Sequence, residues 1–368
     1  MHIGYVPTFQ NPQRHVPDLE VYRQELRLAE LAEPLDFDSV WSVEHHFTDL
    51  AIVPDVPQFL SYMAARTTRI NLGSMVVVLP WHDPIRVAEQ ASMLDNLSGG
   101  RMILGIGRGL GRIEFEGFGV PMGESRERFN EAAQIVIEAL KNGYAEYDGK
   151  YYQQPRRDIR PDPFKSFDGR TFAAAVSPDS ISLLAGLGVG LLVVPQKPWA
   201  MVEADARAFR SSWQDIHGQD SEPPAPMCGG MYFVDENADR AEELAHRYIG
   251  SYYDSVMKHY EMSAGHFKTT KGYEFYDNVT QHINRRGEDA AKDDFVTLMP
   301  WGTPQQVFDK LVAIHDLIGF QGLMCHFSYS DMPYDEAERS MRLFAREIMP
   351  ELRLKYGDER AVGKVTVA

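Results

Sequence analysis

An imidazole changes charge near neutral pH, and a neighbouring carboxylate can fix which of its nitrogens carries the proton. Glu44, His45 and His46 in succession therefore read as a centre for acid, base or hydrogen-bond-donor chemistry. A packed strand-end histidine and a metal site are the competing readings. Adjacent side chains on a strand point to opposite faces, and neither an HExxH pattern nor a facial-triad spacing accompanies the pair, so no metal is expected.

The run Gly105-Ile106-Gly107-Arg108-Gly109-Leu110-Gly111 suggests a loop that lets backbone approach a ligand closely. It is not a dinucleotide fingerprint: a GxGxxG starting at Gly105 meets Leu110, and one starting at Gly107 meets Arg112. It also lacks the GK[ST] of a P-loop. Arg108 and Arg126 supply two guanidinium groups, and Ser177 and Ser180 supply two hydroxyls at a helix start marked by Pro178. Together they would suit a phosphate. Singly, the arginines read as surface ion pairs and the serines as caps. Tyr252, Tyr253, Met257 and Tyr260 recur at near-helical spacing and are expected in the core rather than in a pocket.

These residues need elements to hold them. Short β-rich runs alternate with helical patterns, the signature of a parallel sheet covered by helices. Eight strands are expected, at 2–6, 39–43, 70–78, 102–106, 172–176, 190–194, 227–234 and 322–327. Runs such as VVVL and LLVV are apolar throughout, as strands buried on both faces should be. Eight parallel strands point to α/β architecture as a closed (β/α)8 barrel, with Glu44, His45 and His46 at a strand's carboxyl end, where such barrels place catalytic groups.

Asp83-Pro84 and Gly99-Gly100 bracket one helix, and Thr303-Pro304-Gln305-Gln306 forms a capping box at another. The sequence reads as a single domain over 1–368 with insertions at about 110–125, 144–168 and 261–299. The second insertion holds an Asp-Gly hairpin turn within YAEYDGKYYQ. The third shows no sustained period and is expected to be a long mobile loop after strand seven.

Composition narrows the partners. With 37 basic and 53 acidic residues the net charge is -16, which disfavours a nucleic-acid backbone or an anionic membrane surface. Two widely spaced cysteines, Cys228 and Cys325, suggest neither a disulfide framework nor a thiolate zinc site, so a cytoplasmic setting is expected. The first residues, MHIGYVPTFQ, read as a strand rather than as a signal peptide.

A colinear series of strings spans nearly the whole chain: FDSVWSVEHHFTD (37–49), INLGSMVVVLPWHDPIRVAEQ (70–90), LSGGRMILGIGRGL (97–110), SRERFNEA (125–132), SYYDSV (251–256) and TKGYEF (270–275). The series resembles the bacterial luciferase family of flavin-dependent monooxygenases, and within it the catalytic α subunits. The resemblance implies the same (β/α)8 barrel. It makes His45 the catalytic histidine, with Glu44 and His46 flanking it and Glu114 beside the active site. Arg108, Arg126, Ser177 and Ser180 would hold the phosphate of FMN, and Met75, Val76, Gly107, Leu110 and Val176 would border the cofactor. The stretch 261–299 corresponds to the family's mobile loop over reduced flavin.

Departures accompany the match. Gly107 stands where the family has a reactive cysteine, and Val176 replaces a glutamate. Ser180 replaces a threonine. Met75-Val76 replaces a small pair joined by a non-proline cis peptide, so a cis bond is expected here. The resemblance implies a two-component monooxygenase: FMN arrives as FMNH2 from a separate flavin reductase, forms a C4a-hydroperoxyflavin with molecular oxygen, and oxygenates a small-molecule organic substrate. The alternatives are an aldehyde-oxidising luciferase and a deazaflavin (F420)-dependent oxidoreductase on the same barrel. A homodimer without nucleic-acid or membrane partners is expected.

Overall fold

Residues 1–174 and 178–357 are described by a computed structural model of the chain. Eight parallel strands form the barrel: β1 (His2–Tyr5), β2 (Ser39–Ser42), β3 (Asn71–Ser74), β4 (Met102–Gly107), β5 (Thr171–Ala174), β6 (Gly190–Val193), β7 (Met227–Met231) and β8 (Gly322–His326). Each pairs with its sequence neighbour, and β1 pairs with β8 in the register His2↔Gly322 to Tyr5↔Cys325, which closes the sheet. The fold is therefore the (β/α)8 barrel expected from the sequence.

The helices are α1 (Asp18–Ala32), α2 (Val56–Arg66), α3 (Pro84–Ser98), α4 (Arg112–Gly117), α5 (Ser125–Asn142), α6 (Pro178–Leu187) and α7 (Trp199–His217). They continue with α8 (Ala238–His259), α9 (Glu274–Arg286), α10 (Glu288–Leu298), α11 (Pro304–Ile318), α12 (Tyr334–Glu347) and α13 (Met349–Tyr356). Their ends follow the sequence signals. Asp83 accepts the backbone N–H groups of Ile85 and Arg86, Gly99 ends α3 in the left-handed region, and Thr303 and Gln306 complete the capping box of α11.

Strand alternation sorts the core into two layers. Met102, Leu104 and Ile106 on β4 pack outward among the helices, while Ile103 points into the barrel with Trp41, Phe172, Leu192, Met227 and Met324. Trp41 fills much of that interior, and the backbone beside it has no room for side chains. A Cβ on Gly4 would fall 2.4 Å from its Nε1, and one on Gly73 2.2 Å from its Cε3.

Three expected elements change shape. The strand foreseen at 70–78 breaks after Ser74 at a cis Met75-Val76 peptide and resumes as Val77–Val78. The strand foreseen at 227–234 stops at Met231, and Phe233–Val234 pairs instead with Trp301–Gly302. The third change is larger: the stretch 261–299, expected to be irregular, folds as two short 3-10 turns followed by α9 and α10. The hairpin is present as Tyr144–Asp148 antiparallel to Gln153–Asp158. Among the described residues no helix is long and apolar enough to cross a membrane.

Candidate active site

The carboxyl ends of the strands open into a cavity of about 670 Å³, within the usual ~300–1,000 Å³ of small-molecule sites. β2 delivers Glu44, His45 and His46 just beyond its end, and β4 delivers Gly107, Arg108 and Leu110. Glu114 sits on α4, Arg126 in the first turn of α5 and Ser180 in the first turn of α6. Of the residues singled out in the sequence, Glu44, His45, Met75, Val76, Gly107, Arg108, Leu110, Glu114, Arg126 and Ser180 all line this one cavity. Val176 and Ser177 lie outside the described residues.

His45 and His46 part company just beyond the end of β2. His45 continues the inward series of Trp41 and Val43 and lines the cavity. His46 turns toward aromatic rings, edge-on to Trp81 at 5.5 Å and to Phe118 at 4.7 Å. Glu44 does not hold His45. Its Oε1 pairs with His46 Nε2 (3.1 Å) and His82 Nε2 (2.7 Å), and its Oε2 accepts the Val78 N–H (2.8 Å).

The carboxylate that holds His45 is Glu114. Its Oε1 lies 3.2 Å from His45 Nδ1 and accepts the backbone N–H of His46 at 2.9 Å. Burial opposes charge on Glu114, yet His259 and His45 beside it outweigh that effect and hold its pKa down at about 2. Glu44 is lowered as well: burial opposes its charge, and His46, His82 and the Val78 N–H overcome it. His82 is raised by the same carboxylate against its own burial. His259 closes the group from α8, its Nε2 3.4 Å from Glu114 Oε2 and its Nδ1 2.6 Å from Thr48 Oγ1. The donor atoms of His45, Glu114 and His259 lie within 4.8 Å of one another, a spacing that the separation of these residues along the chain conceals.

At the second charged locus, Arg108 Nη1 and Arg126 Nη2 both donate to the carbonyl of Gly272, at 2.8 and 3.3 Å. The Arg108 guanidinium also stacks over Tyr273, 4.2 Å from the ring centroid. Two forks converging on one oxygen form a donor set that matches a phosphate, with the carbonyl standing where an anionic oxygen would be accepted.

Sequence reading assigned no role to His259, His82 or His326. It also placed Tyr252, Tyr253, Met257 and Tyr260 in the core, whereas all four line the cavity. Their helical spacing is real, but the face of α8 that Tyr252, Tyr253 and Met257 occupy, with Tyr260 just past its end, looks into the barrel mouth. His259 lies seven residues after Tyr252 on the same helix, and that extension of the period was the available signal. His326, at the end of β8, binds Thr8 Oγ1 through Nδ1 at 3.0 Å, and burial pushes its pKa down to about 3.

The sequence model described as luciferase-like monooxygenase matches residues 1–320. The chain belongs to that family. It is thus a luciferase-like monooxygenase. It is 26% identical over 358 residues to the alkanal monooxygenase alpha chain of Photorhabdus luminescens, covering 96% of this chain and 97% of that one. Two solved structures share the fold at 16% identity. The oxygenating constituent of 3,6-diketocamphane monooxygenase from Pseudomonas putida, a type II Baeyer-Villiger monooxygenase in complex with FMN, superposes with a TM-score of 0.70 over 95% of this luciferase-like chain and 98% of its own. An F420-dependent secondary alcohol dehydrogenase in complex with an F420-acetone adduct has a TM-score of 0.70 over 96% and 99%.

Proposed function

We propose that this enzyme is a two-component monooxygenase that takes reduced FMN from a separate flavin reductase and oxygenates a small, largely apolar organic substrate. One observation carries the reading: two arginine forks converge at one locus of a cavity that also contains a histidine anchored on a buried carboxylate. The FMN complex of the structural neighbour and the alkanal monooxygenase relative support it.

Arg108 and Arg126 would hold the cofactor phosphate together with Ser180, while Met75, Val76, Gly107 and Leu110 would border the rest of the cofactor; Ser177 and Val176, assigned to the same roles by the resemblance, lie outside the described residues. When bound, reduced FMN supplies the electrons that activate molecular oxygen and deliver one of its atoms to the substrate. His45, with Nδ1 held by Glu114, presents Nε2 as the atom that gives or takes a proton. Tyr276, Val279 and Ile283 of α9 and Phe295 and Leu298 of α10 line the cavity and keep water from it. Glu44 fixes His46, His82 and the Val78 backbone, and so the shape of the wall behind His45. A homodimer is part of the proposal, supported by Tyr62 on α2 and Met93 and Leu97 on α3, which are large and exposed.

The test is oxygen uptake by the purified enzyme with a flavin reductase and NADH. Uptake is expected to depend on FMN, and reduced FMN is expected to bind more tightly than reduced riboflavin under anaerobic titration. The F420-dependent neighbour favours a second reading. Tight binding of reduced F420 with oxygen-independent turnover would replace the first reading with it.

A further inference from the structure

His259 is the last residue of α8, almost fully buried, and its ring meets His45 edge-on with centroids 4.8 Å apart. Burial lowers its pKa against the opposing pull of Glu114, so at neutral pH it carries a single N–H. The position of that hydrogen follows from its partners. Thr48 Oγ1 already accepts the Leu50 N–H at 3.4 Å and can donate its own proton to His259 Nδ1 at 2.6 Å. The remaining hydrogen then sits on Nε2 and faces Glu114 Oε2 across 3.4 Å. The opposite tautomer would set a nitrogen lone pair against a buried carboxylate, which costs energy in a low dielectric.

Glu114 Oε1 takes the His46 N–H and His45 Nδ1, while His259 Nε2, buried and without a hydrogen-bond partner, stands 3.4 Å from Oε2. Other charged or titratable groups close to the cluster are Tyr260 and the Arg112–Glu261 ion pair, which itself is bidentate at 2.9 and 2.6 Å. The backbone also makes room for the group. A Cβ on Gly111, the residue that caps α4 ahead of Glu114, would fall 2.3 Å from Glu114 Oε2 and 3.1 Å from His259 Nε2.

We propose that His259 is a positioning residue: standing against Oε2 of Glu114, it keeps that carboxylate turned onto Nδ1 of His45, so that His45 keeps its basic Nε2 for the cavity. The proposal rests on His45 being the proton-handling group, yet its central claim concerns a tautomer and is measurable without cofactor. In 15N-histidine-labelled protein the His45 signals, assigned by their loss in His45→Gln, should report one Nδ1–H tautomer. In His259→Phe they should become a mixture, and in His259→Gln, which restores an N–H donor, they should return.

Gly111→Ala, at a φ of -71° that alanine adopts freely, drives a methyl between the two groups and should reproduce the His259→Phe spectrum even if that variant folds poorly. With FMNH2 and substrate, His259→Phe should lower kcat about 10- to 100-fold, the range for outer partners of a functional group, with KM for FMNH2 within about 3-fold. A folded His259→Phe with the wild-type tautomer and wild-type kcat would overturn the proposal. So would tight binding of one Zn2+ per chain that His259→Phe abolishes, since the three side chains would then be metal ligands. If FMNH2 drives no turnover even in the unaltered protein, the functional reading falls while the tautomer spectra still decide the role of His259.

Discussion

His45 and His46 are neighbours of one chemical type with opposite surroundings, and the difference is set by their partners: Glu114 at the cavity wall for one, Glu44 and an aromatic cluster for the other. His45→Ala should lower turnover by about 100- to 10,000-fold with FMNH2 binding retained. His46→Ala should act on stability, because its ring is held by Glu44 within an aromatic cluster rather than aimed at the cavity. Turnover and anaerobic FMNH2 titration of both variants separate the roles, and a stable, flavin-binding His46→Ala without turnover would reverse the assignment. At the other locus, Arg108→Ala or Arg126→Ala should each weaken FMNH2 binding about 10- to 100-fold, the loss of one charged hydrogen bond, and leave reduced riboflavin binding nearly unchanged. Val76 and Gly107 are a matched pair. A Cβ on Gly107 would lie 2.3 Å from Val76 Cγ2, so side-chain bulk at 107 and at 76 competes for one space. Gly107→Cys should cost about 1–3 kcal/mol by overpacking, and Val76→Ala in the same chain should recover most of it, as read by thermal unfolding.

At the level of elements, the segment after α8 covers the cavity with a small core of its own: Met262, Phe267 and Tyr273 are buried against Tyr276, Val279 and Ile283. Tyr273 bonds the carbonyl of Gly109 at 3.0 Å and Ser125 Oγ at 2.9 Å, and Lys271 pairs with Glu127, so the cover is fastened to the loop and helix that bear the two arginines. The contribution of α10 differs. Val296 belongs to the main core and Lys292 reaches Asp254 on α8 at 2.7 Å. Replacing residues 265–286 with a short glycine linker, and sparing α10, should therefore leave the barrel folded while uncoupling oxygen consumption from product formation. Circular dichroism and the ratio of peroxide released to product formed check it; unchanged coupling would show that the segment is not a water-excluding cover.

Across the whole molecule, closure ties α13 to the first two strands. Arg353 on α13 bonds Asp38 at 3.0 Å, and Asp38 in turn accepts the Ile3 N–H at 2.8 Å. Glu25 on α1 accepts the hydroxyl of Ser328 at 2.8 Å and faces Tyr5 of β1, beside the β1–β8 seam. Burial pushes its pKa up to about 8, against the pull of Ser328, Tyr5 and the Phe9 and Thr8 N–H groups. A folded-state pKa above the ordinary carboxyl value of 4.5 means that folding favours the protonated form. Stability held below pH 4.5 is then lost as pH rises toward about 8, with a limiting slope of about 1.4 kcal/mol per unit. Glu25→Gln should remove that component, so its stability relative to the unaltered protein should improve steadily between pH 5 and pH 8 in chemical denaturation. A difference independent of pH would show that Glu25 is ionised throughout.

Periodicity and caps are local, and they determined from sequence what is local: eight strands in order, which point to a closed barrel, and the ends of α3 and α11, whereas the inward role of His45 came from the family resemblance. The irregular reading of 261–299 failed because α9 and α10 place their apolar residues on narrow stripes, Tyr276, Val279 and Ile283 on one and Ala291, Phe295 and Leu298 on the other, too sparse to stand out among Lys, Asp and Gly. Only the tertiary structure decided that Glu114, not the adjacent Glu44, holds His45, and that His259 completes the group from α8. The reason is that both oxygens of Glu44 are taken by His46, His82 and the Val78 N–H, so the partner of His45 comes from another element, and which one arrives is set by barrel closure and helix packing rather than by any spacing along the sequence.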